Sequence, residues 1–251
     1  MPSNYSIIPK APQGKTAENK GVKMIEYIFF DLDETLLDFK RAEKEAVAFA
    51  LSNFGIEPTE KTLLRYSKIN LSQWKLLEQG KITLPEVKIG RFELLFKELS
   101  SDVSAKAAAE FYEKNLAEGA YPLFGAEDTL KALQGGFRLF LASNGTAAVQ
   151  ERRLEKTGFG KYFEKVFVSE EIGFFKPDKR YFESCFAAID GFEKEKAVMV
   201  GDRLTSDVLG GKNAGIRTVW LNRYGEKNET EIVPDYEISD ISDLPKLIEE
   251  I

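Results

Sequence analysis

The sequence predicts an α/β protein, a Rossmann-like parallel sheet core with an all-helical cap inserted after the first strand. Three patterns lead there. An apolar and aromatic run at residues 25–30 reads as a buried strand and ends abruptly in Asp31-Leu32-Asp33-Glu34-Thr35. From residue 41 to 118 the apolar positions recur only at helical spacing. After Tyr121 strands and helices alternate, and repeated β-α-β units of this length build a mostly parallel sheet with helices on both faces.

Taken in order, the first helix covers 41–54, with Ala46, Val47, Ala50, Leu51 and Phe54 on one face and Gly55 as its stop. The second runs from about 59 to 79, before Gly80. The third opens at Thr83-Leu84-Pro85-Glu86, where Thr83 caps, Glu86 reaches back and Pro85 sits in the first turn. The fourth covers about 102–118. Strands are then expected at 137–142, 166–168, 197–200 and 216–221, and helices at 146–156, 178–189, 206–213 and from about 242. The expected division is a polar tail at 1–23, a core from 24–40 and 120–251, and a helical cap at 41–119. Linkers are expected near 38–41 and 119–123, which makes a gating motion of the cap plausible.

Composition narrows the function. The chain has 251 residues, 43% hydrophobic and 30% charged, as ordinary globular proteins have. A net charge of -6 argues against binding a nucleic-acid polymer through bulk positive charge. There is no histidine, so a Ser-His-Asp triad, a His base and a His-containing zinc site are excluded. The single cysteine, Cys185, excludes an internal disulfide and a Cys-x-x-Cys site, and on an apolar helix face it reads as an inert core thiol. Residues 1–23 hold no apolar run longer than Ile7-Ile8, too short for a signal-peptide core. No run approaches the ~18 apolar residues of a membrane span. A cytoplasmic protein without a membrane partner, monomeric or a small homo-oligomer, is the expectation.

Ligands of open α/β sheets bind beyond the carboxyl ends of the strands. Asp31 and Asp33 follow the first strand. Ser143-Asn144-Gly145 follow the second and open a helix, and Asp202 and Asp207 follow the strand at 197–200. Lys176-Pro177 lie in the loop before the helix at 178. Carboxylates gathered at one edge need a cation, and hard oxygen ligands without histidine favour Mg²⁺. The Ser143 turn at a helix start suits phosphate, and Lys176 neutralises another phosphate oxygen. The set suits phosphoryl transfer, with a carboxylate as the available nucleophile. Plainer readings stand beside these. Asp31 and Asp33 also suit a turn, Ser143 an N-cap, Lys176 a solvated loop and Asp207 a helix dipole.

Asp31-x-Asp33-x-Thr35, Ser143-Asn144, Lys176-Pro177 and Gly201-Asp202 with Asp207, in that order, resemble the four motifs of the haloacid dehalogenase-like superfamily. The resemblance spans residues 25 to about 221. It implies that Asp31 is the nucleophile and forms an aspartyl-phosphate, with Asp33 as general acid and then base. Thr35 would hold the loop and border the phosphate, while Ser143, Asn144 and Lys176 would bind the phosphoryl group. Mg²⁺ would sit on Asp31, the Asp33 backbone carbonyl and Asp202, with Asp207 on the metal or on a water bound to it. The acid at Asp33 separates the chain from true dehalogenases. Residues 29–39, Ile69-Asn70 with Trp74, Gly80-Lys81-Ile82 and Arg91-Phe92 further resemble the bacterial YjjG/YfnB-type pyrimidine 5′-nucleotidase branch. That implies a nucleoside monophosphate substrate. Cap residues Asn70, Trp74 and Arg91 would then choose it, Trp74 by stacking and the others by hydrogen bonds, although Trp74 also suits packing and Asn70 and Arg91 a plain surface.

Other functions share parts of this set. A sugar-phosphate or other metabolite phosphatase and a phosphomutase use the same motifs. A phospho-accepting receiver module has an acceptor Asp and a Lys, but it leaves the helical insert unexplained. A silent binding protein is disfavoured, because no motif residue is missing.

Overall fold

The computed structural model describes residues 24–251, and the tail expected at 1–23 lies outside them. The strands are β1 (Tyr27–Phe30), β2 (Arg138–Ser143), β3 (Lys165–Val168), β4 (Ala197–Gly201), β5 (Arg217–Leu221) and β6 (Tyr236–Ile238). Among the described residues they form a six-stranded sheet in the order β3-β2-β1-β4-β5-β6, with every neighbouring pair parallel. The central β1 is buried along its whole length, as its unbroken apolar sequence requires. Its register sets Phe30 against Leu141 of β2 and Val200 of β4, so these strands release their next residues at one edge.

Strand alternation divides the core between two faces. Ile28 and Phe30 of β1, with Leu139, Leu141, Val198 and Val200, face helix α5 (Ala126–Leu133) and helix α10 (Leu244–Glu250). Tyr27 and Phe29, with Phe140 and Met199, face helix α8 (Lys179–Ala187). Phe29 stacks on Phe140 with ring centroids 5.1 Å apart and meets Phe182 edge-on at 6.4 Å. Cys185 is buried in this layer, where desolvation pushes its thiol up to about 12.

Between β1 and β2 the chain forms α1 (Phe39–Asn53), α2 (Glu60–Glu78), α3 (Leu84–Leu99) and α4 (Ala105–Glu118), with no strand among them. These helices share their own core around Tyr66, Phe92 and Tyr112, joined from the sheet side by Val149. Asp38 caps α1 by accepting from Arg41 N at 2.9 Å. Glu86 accepts from Thr83 N at 2.7 Å, as the capping box predicts. The two connections to the helices lie side by side: Asp38 N donates to Tyr121 O at 2.8 Å and Leu123 N to Leu36 O at 2.9 Å.

The remaining helices are α6 (Ala147–Thr157), the single turn α7 (Ser169–Ile172) and α9 (Leu209–Ala214), which a π-helical turn at Leu204–Val208 precedes. The structure adds α5, α7 and β6 to the elements expected from sequence. α5 has only eight residues and starts from Gly125 in the left-handed region (φ 78) rather than from a capping side chain. β6 is a three-residue edge strand, with Ile238 its buried residue. β6 is too short to show a period, whereas α5 buries Ala126, Thr129, Leu130 and Leu133 at helical spacing. Among the described residues no helix is long and apolar enough to cross a membrane. Phe29→Ala is expected to destabilise the fold by about 3–5 kcal/mol in urea titrations, since a fully buried ring between two aromatic layers leaves a cavity.

Candidate active site

The edge that the register creates gathers Asp31, Ser143, Lys176 and Asp202, together with Asp33 from the turn after β1. Asp31 N donates to Val200 O at 2.9 Å, so the chain leaves β1 still paired to β4. The turn that follows is tight. Leu36 N and Leu37 N both donate to Leu32 O at 2.9 Å, and Glu34 takes a left-handed conformation (φ 61).

Lys176 lies at the centre of the edge. Its Nζ donates to Asp31 Oδ1 at 2.7 Å, to Asp207 Oδ1 at 2.6 Å and to Ala142 O at 2.6 Å. Its side chain is 1% exposed. Burial works against the ammonium, but the two carboxylates outweigh it and hold its pKa above the ordinary lysine value. Asn144 fixes the lysine loop with a reciprocal pair, donating from Nδ2 to Lys176 O and accepting from Lys176 N, each at 2.8 Å. Asp207, buried in the π-helical turn, also accepts from Arg203 N at 3.0 Å. Gly201 leaves room for it, because a Cβ at that position would lie 2.3 Å from Asp207 Oδ2.

The carboxylates are crowded. One oxygen from each of Asp31, Asp202 and Asp207 falls within 4.8 Å of the others. Burial raises the Asp31 carboxyl to about 7, with Lys176 opposing and Asp207 and Asp33 adding to the rise. Burial, then Asp207 and Asp31, push Asp202 well above the ordinary value. Asp202 Oδ1 is buried without a hydrogen-bond partner. A buried, unpaired carboxylate oxygen beside a second carboxylate fits a hard divalent cation.

Asp33 faces the other way. Its Oδ1 accepts from Arg153 Nη1 at 2.5 Å and its Oδ2 from Gln150 Nε2 at 3.0 Å. Gln150 Nε2 also donates to Ser143 Oγ at 2.9 Å. Both partners come from α6, and the sequence reading missed them. The signal was present: Gln150 and Arg153 share the α6 face that buries Val149 and Leu154.

A cavity of about 540 Å³ lies between this edge and the helices. Asp31, Asp33, Ser143, Asn144, Lys176 and Asp202 line one side, and Asn70, Trp74 and Arg91 line the other. Thr35 is fully buried inside the turn, its Oγ1 has no hydrogen-bond partner and it does not line the cavity. Asp207 also stays behind the cavity wall, both oxygens engaged, and its visible contact is with Lys176. Asn70 and Arg91 are not surface residues. Asn70 Nδ2 donates to Glu43 Oε1 at 2.6 Å and its Oδ1 accepts from Arg91 Nη1 at 3.1 Å, in a buried network. Trp74 packs against the cluster of Leu77, Leu84 and Val87.

The raised Asp31 carboxyl has a consequence for stability. Between the ordinary carboxylate range and about pH 7 the metal-free fold keeps a proton that the unfolded chain has released. Stability of the metal-free protein therefore falls as pH rises through that window. Metal-free Asp31→Asn is expected to melt roughly 5 °C or more above wild type at pH 8, with the gap narrowing as pH falls and closing only near the ordinary carboxylate value, at about pH 4. Equal melting temperatures at pH 8 would contradict the crowded-carboxylate account.

Comparison with known proteins places this geometry. Residues 28–221 match the family model of the haloacid dehalogenase-like hydrolases. The pyrimidine 5′-nucleotidase PynA of Streptococcus pneumoniae is 38% identical, over 87% of this chain and 93% of its own. The pyrimidine 5′-nucleotidase YjjG of Escherichia coli is 33% identical, over 89% and 97%. A crystal structure of the HAD-hydrolase YfnB of Bacillus subtilis, bound to magnesium, superposes with a TM-score of 0.86 at 35% identity, covering 90% of this chain and 100% of that one. An L-2-haloacid dehalogenase of Xanthobacter autotrophicus, 19% identical with a TM-score of 0.73 over 91% of this chain and 100% of its own, shares the fold. The four sequence motifs, the strand-end carboxylates and the family match agree: this chain belongs to the haloacid dehalogenase-like hydrolases.

Proposed function

We propose that the chain is a Mg²⁺-dependent phosphomonoester hydrolase that works through an aspartyl-phosphate on Asp31 and prefers pyrimidine nucleoside 5′-monophosphates. The observation that carries the reading is the pairing of Asp31 with the fully buried Lys176, beside the unpaired oxygen of Asp202. Asp31 Oδ1 is held by the lysine, so the carboxylate has a fixed direction at the strand end.

The Asp31 carboxylate, the Asp33 backbone carbonyl and Asp202 would hold a divalent cation, which would supply charge neutralisation for carboxylates and phosphate alike. The chain's own groups do the rest. Ser143 and the backbone at the start of α6 bind phosphoryl oxygens, and Lys176 offsets their charge. An Asp31 oxygen attacks phosphorus and forms a new O–P bond as the ester P–O bond breaks. The ester oxygen takes the bonding pair and a proton from Asp33, and leaves as the alcohol. Water then attacks the same phosphorus and gives a proton to Asp33. The Asp31–phosphorus bond breaks, releasing phosphate and restoring both carboxyl groups.

Residues 41–119 act in this reading as a cap over the core formed by 24–40 and 120–251. The crystal structure of YfnB is described as revealing interdomain movement, and we infer the same freedom for this helical unit. The pyrimidine preference rests on the relatives PynA and YjjG. The Glu43-Asn70-Arg91 network and Trp74 line the same cavity as Asp31, which supports a base held there by them.

The test is phosphate release from pyrimidine and purine monophosphates, sugar phosphates and an aryl phosphate, with Mg²⁺ or EDTA. Release that needs Mg²⁺ and is concentrated on pyrimidine monophosphates is expected. Release from sugar phosphates alone would discard the nucleotidase reading. Asp31→Asn is expected to abolish turnover with the fold intact, and activity within tenfold of wild type would overturn the aspartyl-phosphate. Asp33→Asn is expected to slow turnover roughly 10²–10⁴-fold in steady-state assays. Asp202→Asn is expected to weaken Mg²⁺ binding by at least roughly tenfold in calorimetric titration, because it removes the unpaired anionic oxygen.

A further inference from the structure

Arg153 connects three parts of the molecule. Nη1 donates to Asp33 Oδ1 at 2.5 Å and to Gln150 Oε1 at 3.1 Å, and Nε donates to the backbone carbonyl of Gly119 at 3.0 Å. Gly119 ends α4 and begins the connection from the helical unit back to the sheet. The guanidinium also lies 6.0 Å from the ring of Phe39, where the chain enters α1. The side chain is fully enclosed and its Nη2 has no partner. A buried guanidinium carries a desolvation penalty that Leu or Met at the same place avoids. Space filling alone therefore does not account for it.

The guanidinium is planar and rigid, so its two donor edges move together. A shift of the Gly119 carbonyl turns the fork and carries the Asp33 carboxylate with it. Gly119 is pressed against α1, since a Cβ there would lie 2.8 Å from Ala42 Cβ and 3.2 Å from Ala42 Cα. Its φ of -82 suits any residue, so Gly119→Ala displaces the connection without straining the backbone.

We propose that Arg153 is a positioning residue that ties the Asp33 carboxylate to the cap linker at Gly119, so that the seat of the helical unit sets how Asp33 meets the leaving oxygen. The proposal rests on the reading of Asp33 as the proton donor in the proposed phosphatase reaction. It places on α6 a determinant of leaving-group protonation that acts through Asp33.

The test is kcat/KM with Mg²⁺ across substituted phenyl phosphates of nearly equal size but different leaving-group pKa. This quantity reports only steps up to release of the phenol. Wild type is expected to give a shallow dependence, because Asp33 protonates the departing oxygen. Arg153→Met and Gly119→Ala are expected to lose roughly 10²-fold on phenyl phosphate but stay within about threefold on 4-nitrophenyl phosphate, whose leaving group needs little help. Arg153→Lys keeps the charge but reaches one partner at a time, and an intermediate slope is expected. Asp33→Asn is the reference for lost protonation. A uniform loss, or none, in the Arg153 variants while Asp33→Asn turns steep would overturn the proposal. A steep slope in Arg153→Met with a shallow one in Gly119→Ala would overturn the tie to the linker. A shallow slope in Asp33→Asn would overturn the proton-donor reading, and the proposal with it. If Arg153→Met does not fold, Arg153→Lys and Gly119→Ala, checked by thermal melting, decide the question.

Discussion

Lys176 brings a full positive charge to a place that solvent does not reach, and the carboxylates of Asp31 and Asp207 keep it there. The dependence is mutual. Without the ammonium, three carboxylate oxygens would crowd within 4.8 Å with only Arg203, which acts on Asp202, to offset them. With it, Asp31 and Asp207 each have a charged partner, while Asp202 keeps one oxygen unpaired. Three carboxylates against one ammonium leave two negative charges unmatched, the charge that the proposed divalent cation would neutralise. The Asn144 pair to the Lys176 backbone and the clearance at Gly201 support the same point in space.

The sheet explains why these groups meet. β1 is central, and β2 and β4 leave it on opposite sides. Their common register brings the strand ends level, so residues far apart in sequence converge without any long loop. The helices between β1 and β2 return through a connection that pairs with the outgoing one, which leaves the cavity walled by two separate cores. An L-2-haloacid dehalogenase shares this fold at 19% identity. The fold therefore does not select the chemistry, and the side chains at the strand ends do.

Much of this was legible in the sequence, for a simple reason. A residue that directly follows a buried strand has its position set by the sheet. Asp31, Ser143 and Asp202 could therefore be placed at one edge from the pattern alone. Residues whose position depends on helix orientation were harder. Gln150 and Arg153 sit in the run Gln-Glu-Arg-Arg-Leu-Glu-Lys, which reads as solvated charge until the face toward Asp33 is known. Asn70 and Arg91 were expected to offer free hydrogen-bonding groups. The structure binds them to each other and Asn70 to Glu43, in a buried network at the cavity wall that already uses part of their hydrogen-bonding capacity. Thr35 follows its motif in sequence, but the left-handed turn at Glu34 folds it inward. β6 is too short for a period to form, while α5 carries Ala126, Leu130 and Leu133 at helical spacing but lacks a capping side chain to mark its start.

In the proposed reaction phosphorus passes through Asp31 before it meets water. Its stereochemical course tests this directly. A phosphomonoester made chiral at phosphorus with the three isotopes of oxygen would be turned over with an alcohol as acceptor, and the configuration of the transferred phosphoryl group measured. Two successive in-line displacements, first by Asp31 and then by the acceptor, predict net retention. Net inversion would mean a single direct displacement and would contradict the account.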